Sequence, residues 1–176
     1  MKARVSMLQD SVVNLLNEQV NKEFFSAYLY LDMANFYAKE GLDGFENWFI
    51  IQAQEERDHA MLFRQYILNN GYEVKMGAIA DPYVEYKNYK EPLEAALKHE
   101  QFVTASINAI YAEAQKVNDY RTIQFLEWFV KEQGEEEMNA EDNVRKFELF
   151  GEGKGLYMLD QKLLGRAYTP PSLVLD

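Results

Sequence analysis

The chain has 176 residues, 48% of them hydrophobic, with 29 acidic against 18 basic side chains and a formal charge of −11. That length and apolar content suit one folded domain rather than a disordered acidic chain. The acidic balance argues against nucleic acid or an anionic membrane as partner and favours cations. No cysteine is present, which excludes disulfides, thiolate zinc sites, iron–sulfur clusters and thiol catalysis together. Residues Met1 to Asp10 lack the basic-then-apolar layout of a signal peptide, and no apolar run reaches spanning length, so a cytoplasmic protein is expected.

Helical periodicity dominates, with apolar residues at spacings of three and four in four long segments. The first is expected from about Ser6 to Glu40, ending at Gly41. The second is expected over about 44–70, where Asp43-Gly44-Phe45-Glu46 reads as a capping box. The third, over about 92–118, opens on Pro92, a favoured first-turn residue. The fourth runs from about Tyr120 to Phe150, ahead of the glycines in Gly151-Glu152-Gly153-Lys154-Gly155. A short fifth helix is expected over about 156–164, and Thr169-Pro170-Pro171 forbids more helix in a tail over 167–176.

The loops dictate the topology. Very short links join the first helix to the second and the third to the fourth, so each pair forms an antiparallel hairpin. Between the second and third helices lie roughly twenty residues, from Tyr72 to Glu91, carrying Pro82 and the spaced Tyr83, Tyr86 and Tyr89. Extended chain covers about 3.3 Å per residue, enough to run the height of a bundle. The expectation is an all-α, single-domain four-helix bundle with one long crossover and a short C-terminal helix.

The inward-facing stripes carry the chemistry. The first helix presents Leu16, Val20, Glu23, Ala27, Tyr30, Ala34 and Tyr37, and the second Phe45, Phe49, Gln52, Glu56, His59 and Phe63. The third presents Leu93, Ala96, Glu100, Val103, Ile107 and Ile110, and the fourth Leu126, Phe129, Gln133, Glu136, Ala140, Asn143 and Phe147. Each stripe is apolar towards its ends and polar near its middle, so every helix aims a carboxylate inward. An unpaired buried carboxylate costs several kcal/mol, so four exceed the roughly 5–15 kcal/mol net stability of a domain. No Lys or Arg lies on the stripes, whereas two divalent cations would balance four negative charges. Oxygen-rich ligation with one imidazole suits iron or manganese better than a soft metal.

The segments 17–23 (NEQVNKE), 54–59 (QEERDH), 98–100 (KHE) and 126–137 (LEWFVKEQGEEE), with 155–160 (GLYMLD) near the end, resemble the motifs of bacterial and archaeal non-haem ferritins. The likeness spans nearly the whole chain. It implies one iron bound by Glu23, Glu56 and His59 and a second by Glu56, Glu100 and Glu136, with Glu56 bridging. Gln133 matches a residue beside the pair, and Tyr30 a tyrosine next to the first iron. Glu55, Glu132 and Glu135 match a third, weaker iron site; a solvated acidic face is the alternative. The implied activity is ferroxidation, with Fe(II) oxidised by dioxygen or peroxide and stored as ferric mineral in a hollow shell of twenty-four copies.

Departures from related patterns sharpen this. Where bacterioferritins and rubrerythrins have a Glu-x-x-His on the fourth helix, this chain has Gln133-Gly134-Glu135-Glu136, so the second iron is expected to be poorer in nitrogen and more labile. Bacterioferritin's haem-binding methionine position holds Arg57, so no haem is expected. The only other histidine, His99, lies about 100° around its helix from Glu100 and is not expected to be a ligand. Trp128 is expected to pack. Gly134, costing about 1 kcal/mol in a helix, either permits close packing, marks a bulge, or has no role. An iron buffer without efficient oxidation and a small di-iron oxidase or peroxidase would use the same ligands; oxygen consumption, mass in solution and iron count separate them.

Overall fold

The computed structural model describes residues 8–175, which form five helices and no strand. They are α1 (Asp10–Glu40), α2 (Asp43–Asn69), α3 (Glu91–Lys116), α4 (Tyr120–Phe150) and α5 (Gly153–Leu164). Most bounds fall within two residues of expectation, and the exceptions have local causes. The expected start at Ser6 lies outside the described residues. Gln9 is extended, so α1 opens at Asp10, whose carboxylate complements the dipole of the first turn. Helix α3 stops at Lys116, because Asn118 turns left-handed at φ 57°. Helix α5 begins three residues before its expected start, at Gly153, whose φ of +54° makes the corner that a breaker reading of the glycines assigned to loop.

The expected capping box at the start of α2 is absent. Its N-cap is Leu42, and no side-chain cap hydrogen bond forms there. The free N–H groups are met from across the molecule instead. Asp160 Oδ1, on α5, accepts from Gly44 N at 2.8 Å and from Phe45 N at 3.1 Å. Asp43 and Glu46 contribute only charge to the first turn. At the start of α4 the cap is local, with Thr122 N donating to Asp119 Oδ1 at 3.0 Å.

The crossover follows α1 along its length. Lys75 N donates to Asn17 Oδ1 at 2.7 Å, Gly77 N to Asn21 Oδ1 at 3.0 Å, and Tyr37 Oη to Tyr89 O at 2.7 Å. Because these contacts ascend both segments together, the crossover carries the chain from the end of α2 to the far end of the bundle. Helices α2 and α3 therefore run parallel, as the link length predicts. Tyr86 and Tyr89 face Phe36 with ring centroids 5.4 and 6.3 Å away, whereas Tyr83 is exposed.

The core is split. One apolar cluster joins Val12, Leu16 and Val20 to Phe63, Ile67, Val103, Ile107, Leu126 and Phe129. The other joins Met33, Ala34 and Tyr37 to Phe45, Phe49, Leu93, Ala96 and Leu159 of α5. Burying each such side chain contributes about 1.5–3 kcal/mol, so two apolar cores clamp what lies between them. Between them, in sequence and in space, sits a buried polar layer. No helix among the described residues is long and apolar enough to cross a membrane.

Candidate metal centre

Each of the four long helices delivers one carboxylate to the polar layer. Glu23, Glu56, Glu100 and Glu136 are all buried, none more than 5% exposed, and His59 lies among them at 2%. The helical register explains this: each occupies the same stripe as the apolar residues one turn away on either side, and those residues fix the rotation of the helix. Of the stripe residues, only Ala27 and Phe147 are not fully buried.

Ligand atoms of Glu23, Glu56 and His59 lie within 4.8 Å of one another. The pair Glu56 and His59, one turn apart on α2, is in direct contact, Nδ1 to Oε2 at 3.3 Å. Gln19 Nε2 donates to Glu23 Oε1 at 2.8 Å, while Glu23 Oε2 is buried with no hydrogen-bond partner among the described residues. An orphaned carboxyl oxygen beside a second carboxylate and an imidazole is the donor set of a cation site.

Of the remaining carboxylates, Glu136 is tied to this trio through an amide, and Glu100 is held by side chains of α4 and α1. Gln52 Nε2 donates to Glu56 Oε1 at 3.0 Å and to Glu136 Oε2 at 2.7 Å, joining α2 to α4. Gln133 Nε2 donates to Glu100 Oε2 at 3.2 Å, and Tyr30 Oη donates to Glu100 Oε1, joining α4 and α1 to α3. Gln133 and Tyr30 therefore both touch the Glu100 carboxylate.

The electrostatics of the metal-free cluster follow from burial and crowding. Burial, then the neighbouring Glu56, raises Glu23 to about 8, and the same two causes raise Glu136 to about 8. Glu100 is raised for the same reasons. Burial disfavours the charged form of His59, but Glu56, Glu23 and Glu136 outweigh it and raise the imidazole to about 10. Burial likewise opposes ionisation of Glu56, yet the imidazole contact and the Gln52 amide leave it below its usual value. In effect one ion pair, Glu56 with His59, sits among carboxyls that hold their protons.

The other candidate residues stand apart. Glu55 meets Arg166, Nη2 to Oε2 at 2.6 Å, and Glu135 is exposed and 3.6 Å from Lys131. Glu132 is half-buried, with a carboxyl raised by burial and by Glu135 against the lowering pull of His59. These three glutamates are not among the described residues whose ligand atoms converge within 4.8 Å. His99 turns to α1, with Nε2 2.7 Å from Ser26 Oγ, and burial lowers its pKa. Trp128 packs edge-on against His59, centroids 5.6 Å apart, and donates from Nε1 to Ser172 Oγ at 2.9 Å. Arg57 pairs with Asp58 at the surface. Helix α4 runs unbroken through Gly134, and a Cβ there would meet nothing within 4 Å, which removes both close packing and a bulge as its reason.

Two participants lay beyond sequence reasoning. Arg166 reaches Gln52 and Glu55 from the segment after α5, and Asp160 caps α2. Gln19, by contrast, was findable: it lies four residues before Glu23, one helical turn away.

The fold and this layer define a four-helix bundle with an internal carboxylate–imidazole centre. A model of the ferritin-like domain matches residues 13–150. The bacterial non-heme ferritin of Campylobacter jejuni is 40% identical over 156 residues, which cover 88% of this chain and 93% of that protein. The Staphylococcus aureus protein of the same name is 34% identical, covering 92% of this chain and 98% of that one. An open-pore ferritin of the archaeon Archaeoglobus fulgidus superposes with a TM-score of 0.89 at 39% identity, covering 91% of this chain and 98% of that one. This chain belongs to the ferritin family.

Proposed function

We propose that the chain is an iron-storage subunit with ferroxidase activity, oxidising Fe(II) at an intrasubunit centre and retaining the ferric product in a homo-oligomeric shell, twenty-four copies in the full assembly. The observation that carries this reading is the buried layer itself: four glutamates and His59, one orphaned carboxylate oxygen, and no Lys or Arg on the stripes. Family membership and the names of the relatives support iron as the cation.

In this reading Glu23, Glu56 and His59 bind one Fe(II), and Glu56, Glu100 and Glu136 the other. The four carboxylates balance two divalent charges once the protons on Glu23, Glu100 and Glu136 and the extra proton on His59 leave. Two Fe(II) each give one electron, which together reduce one dioxygen to the level of hydrogen peroxide. Added charge on each iron is better matched by hard anionic oxygen, so the carboxylates favour the oxidised state. Two-metal sites hold their ions about 3.5–4 Å apart; here the two apolar clusters and the amides of Gln52 and Gln133 set the frame. Tyr30 orients Glu100 and is a redox-capable side chain in direct contact with it. Glu55, Glu132 and Glu135 form a weaker third iron site at the edge of the centre.

Stopped-flow oxidation of His59→Ala and Glu100→Ala tests the reading. Both should assemble and lose the fast phase, the first through the Glu23 locus and the second through the Glu136 locus. Full-speed oxidation in both would remove the centre from the mechanism.

A further inference from the structure

Gln52 is 1% exposed and its amide sits at a junction. Its nitrogen serves two carboxylates, Glu56 at 3.0 Å and Glu136 at 2.7 Å. Its oxygen accepts from Nη1 and Nη2 of Arg166, both at 3.0 Å. A primary amide has two N–H donors and an oxygen with two lone pairs, so every position of this one is filled. Turned over, it would set donors against a guanidinium and its oxygen against two carboxylates. The arginine therefore dictates which way the amide faces.

Arg166 is itself held on every side. Nη1 donates to Trp48 O at 3.0 Å, Nη2 to Glu55 Oε2 at 2.6 Å, and the guanidinium lies over the Trp48 ring at 4.5 Å. Planar guanidinium suits this combination of forked donation and stacking in a way an ammonium does not. The segment beyond follows α2 in the same direction. Tyr168 Oη donates to Asp58 Oδ2 at 2.5 Å, and Ser172 is tied to Trp128 at 2.9 Å. Leu173 and Leu175 pack against the apolar cluster that includes Phe63.

We propose that Arg166 is a positioning residue for the carboxylate centre: acting through Gln52, it holds Glu56 and Glu136 in the orientation that the second metal requires. The inference rests on the di-iron reading above. Without the guanidinium the buried Gln52 oxygen loses both donors, the amide is free to turn, and Glu136 loses the donor that α2 supplies. Glu23 is held independently by Gln19 and Glu56 keeps its His59 contact, so the first locus loses less than the second.

The test is anaerobic Co(II) titration of the assembled full chain, followed by calorimetry and by the visible absorption of the bound ion. Wild type should show, besides weaker uptake at Glu55, Glu132 and Glu135, one binding event that Glu23→Ala reduces most and one that Glu136→Ala reduces most. Arg166→Met should weaken the Glu136-dependent event by roughly ten- to a hundredfold, the usual effect of losing a group that orients a ligand, and weaken the Glu23-dependent event less. Gln52→Leu should do the same, and the combined variant should bind no worse than Gln52→Leu alone. Arg166→Lys, which keeps the charge but not the fork, should recover part of the loss and serves if Arg166→Met fails to assemble. Tyr168→Phe, which loosens the tail at Asp58 only, should match wild type.

Unchanged constants in Arg166→Met, additive losses in the combined variant, or the same loss in Tyr168→Phe would each overturn the role. If wild type shows no Co(II) uptake that depends on Glu23 and Glu136, the di-iron reading fails first and this inference with it. If that uptake is present and Arg166→Met is silent, only the inference fails.

Discussion

Asp160 caps a helix to which it does not belong: its Oδ1 accepts the N–H of Gly44, 116 residues earlier, at 2.8 Å. The contact is close enough that a Cβ on Gly44 would lie 1.7 Å from the Asp160 carbonyl oxygen. Two substitutions separate the hydrogen bond from the approach. Asp160→Ala removes only the cap and should cost about 0.5–2 kcal/mol. Gly44→Ala drives α5 away from α2, losing the cap and part of the packing of Leu159 and Leu163, and should cost more. Thermal unfolding of the purified protein ranks them, and a Gly44→Ala variant as stable as wild type would refute the close approach.

Gly134 offers the opposite case. It sits exposed in an unbroken helix, with φ in the ordinary range, and a methyl group added to its Cα would meet nothing within 4 Å. Alanine loses less backbone entropy on folding, so Gly134→Ala should stabilise by about 1 kcal/mol. Denaturant or thermal unfolding measures it. A destabilised Gly134→Ala would mean that the helix must yield at this position, one residue after Gln133.

What is legible in the sequence, and what is not, divides along range. A residue's place on a helix face depends on neighbours three and four away, so the stripes alone put Glu23, Glu56, Glu100 and Glu136 in one buried layer. The crossover follows from length alone. Termini are harder, because the capping pattern at Asp43–Glu46 is local while the cap in use comes from Asp160 on α5. Arg166 is invisible for the same reason: nothing near it in sequence is acidic enough to announce a partner, and Gln52 and Glu55 are more than 110 residues away. The corner glycines before α5 read as helix breakers, whereas Gly153 turns the chain as the first residue of that helix.

The protonation of the metal-free centre has a measurable consequence. Glu23 and Glu136 stand at about 8 in the fold against 4.5 for an unperturbed carboxyl, so between those values the folded chain keeps protons that the unfolded chain has released. Stability then falls as pH rises through that window. His59, at about 10 against 6.5, acts in the same sense: its contribution is full below 6.5 and is lost as pH rises through about 10. The metal-free protein should therefore melt lower at about pH 9 than at about pH 6, and Glu23→Gln with Glu136→Gln should flatten the difference. Metal ligands must be deprotonated, so Zn(II) should release protons and raise the melting temperature most at the higher pH. A melting profile equally steep in the double variant would assign the slope to surface repulsion in a chain of charge −11.

The edge of the centre makes the last prediction. Glu55 and Glu56 are adjacent on α2, and Glu132 and Glu135 flank Gln133 and Glu136 on α4, so each is turned about 100° from the inward stripe. Burial raises the carboxyl of Glu55 against the lowering pull of Arg166, with Glu56 and Glu132 raising it further. A third cation at this edge must compete with Arg166 for Glu55 and with Lys131 for Glu135, and so it binds weakly. Dioxygen takes up to four electrons and the iron pair gives two, so a third iron nearby would raise the iron oxidised per dioxygen above two. Glu132→Ala with Glu135→Ala should lower the iron bound per subunit and move that ratio towards two, while fast oxidation at the pair persists. Calorimetric Fe(II) titration under nitrogen and an oxygen electrode give the two numbers. Equal binding and equal stoichiometry in wild type and the double variant would make these glutamates a solvated face of α4.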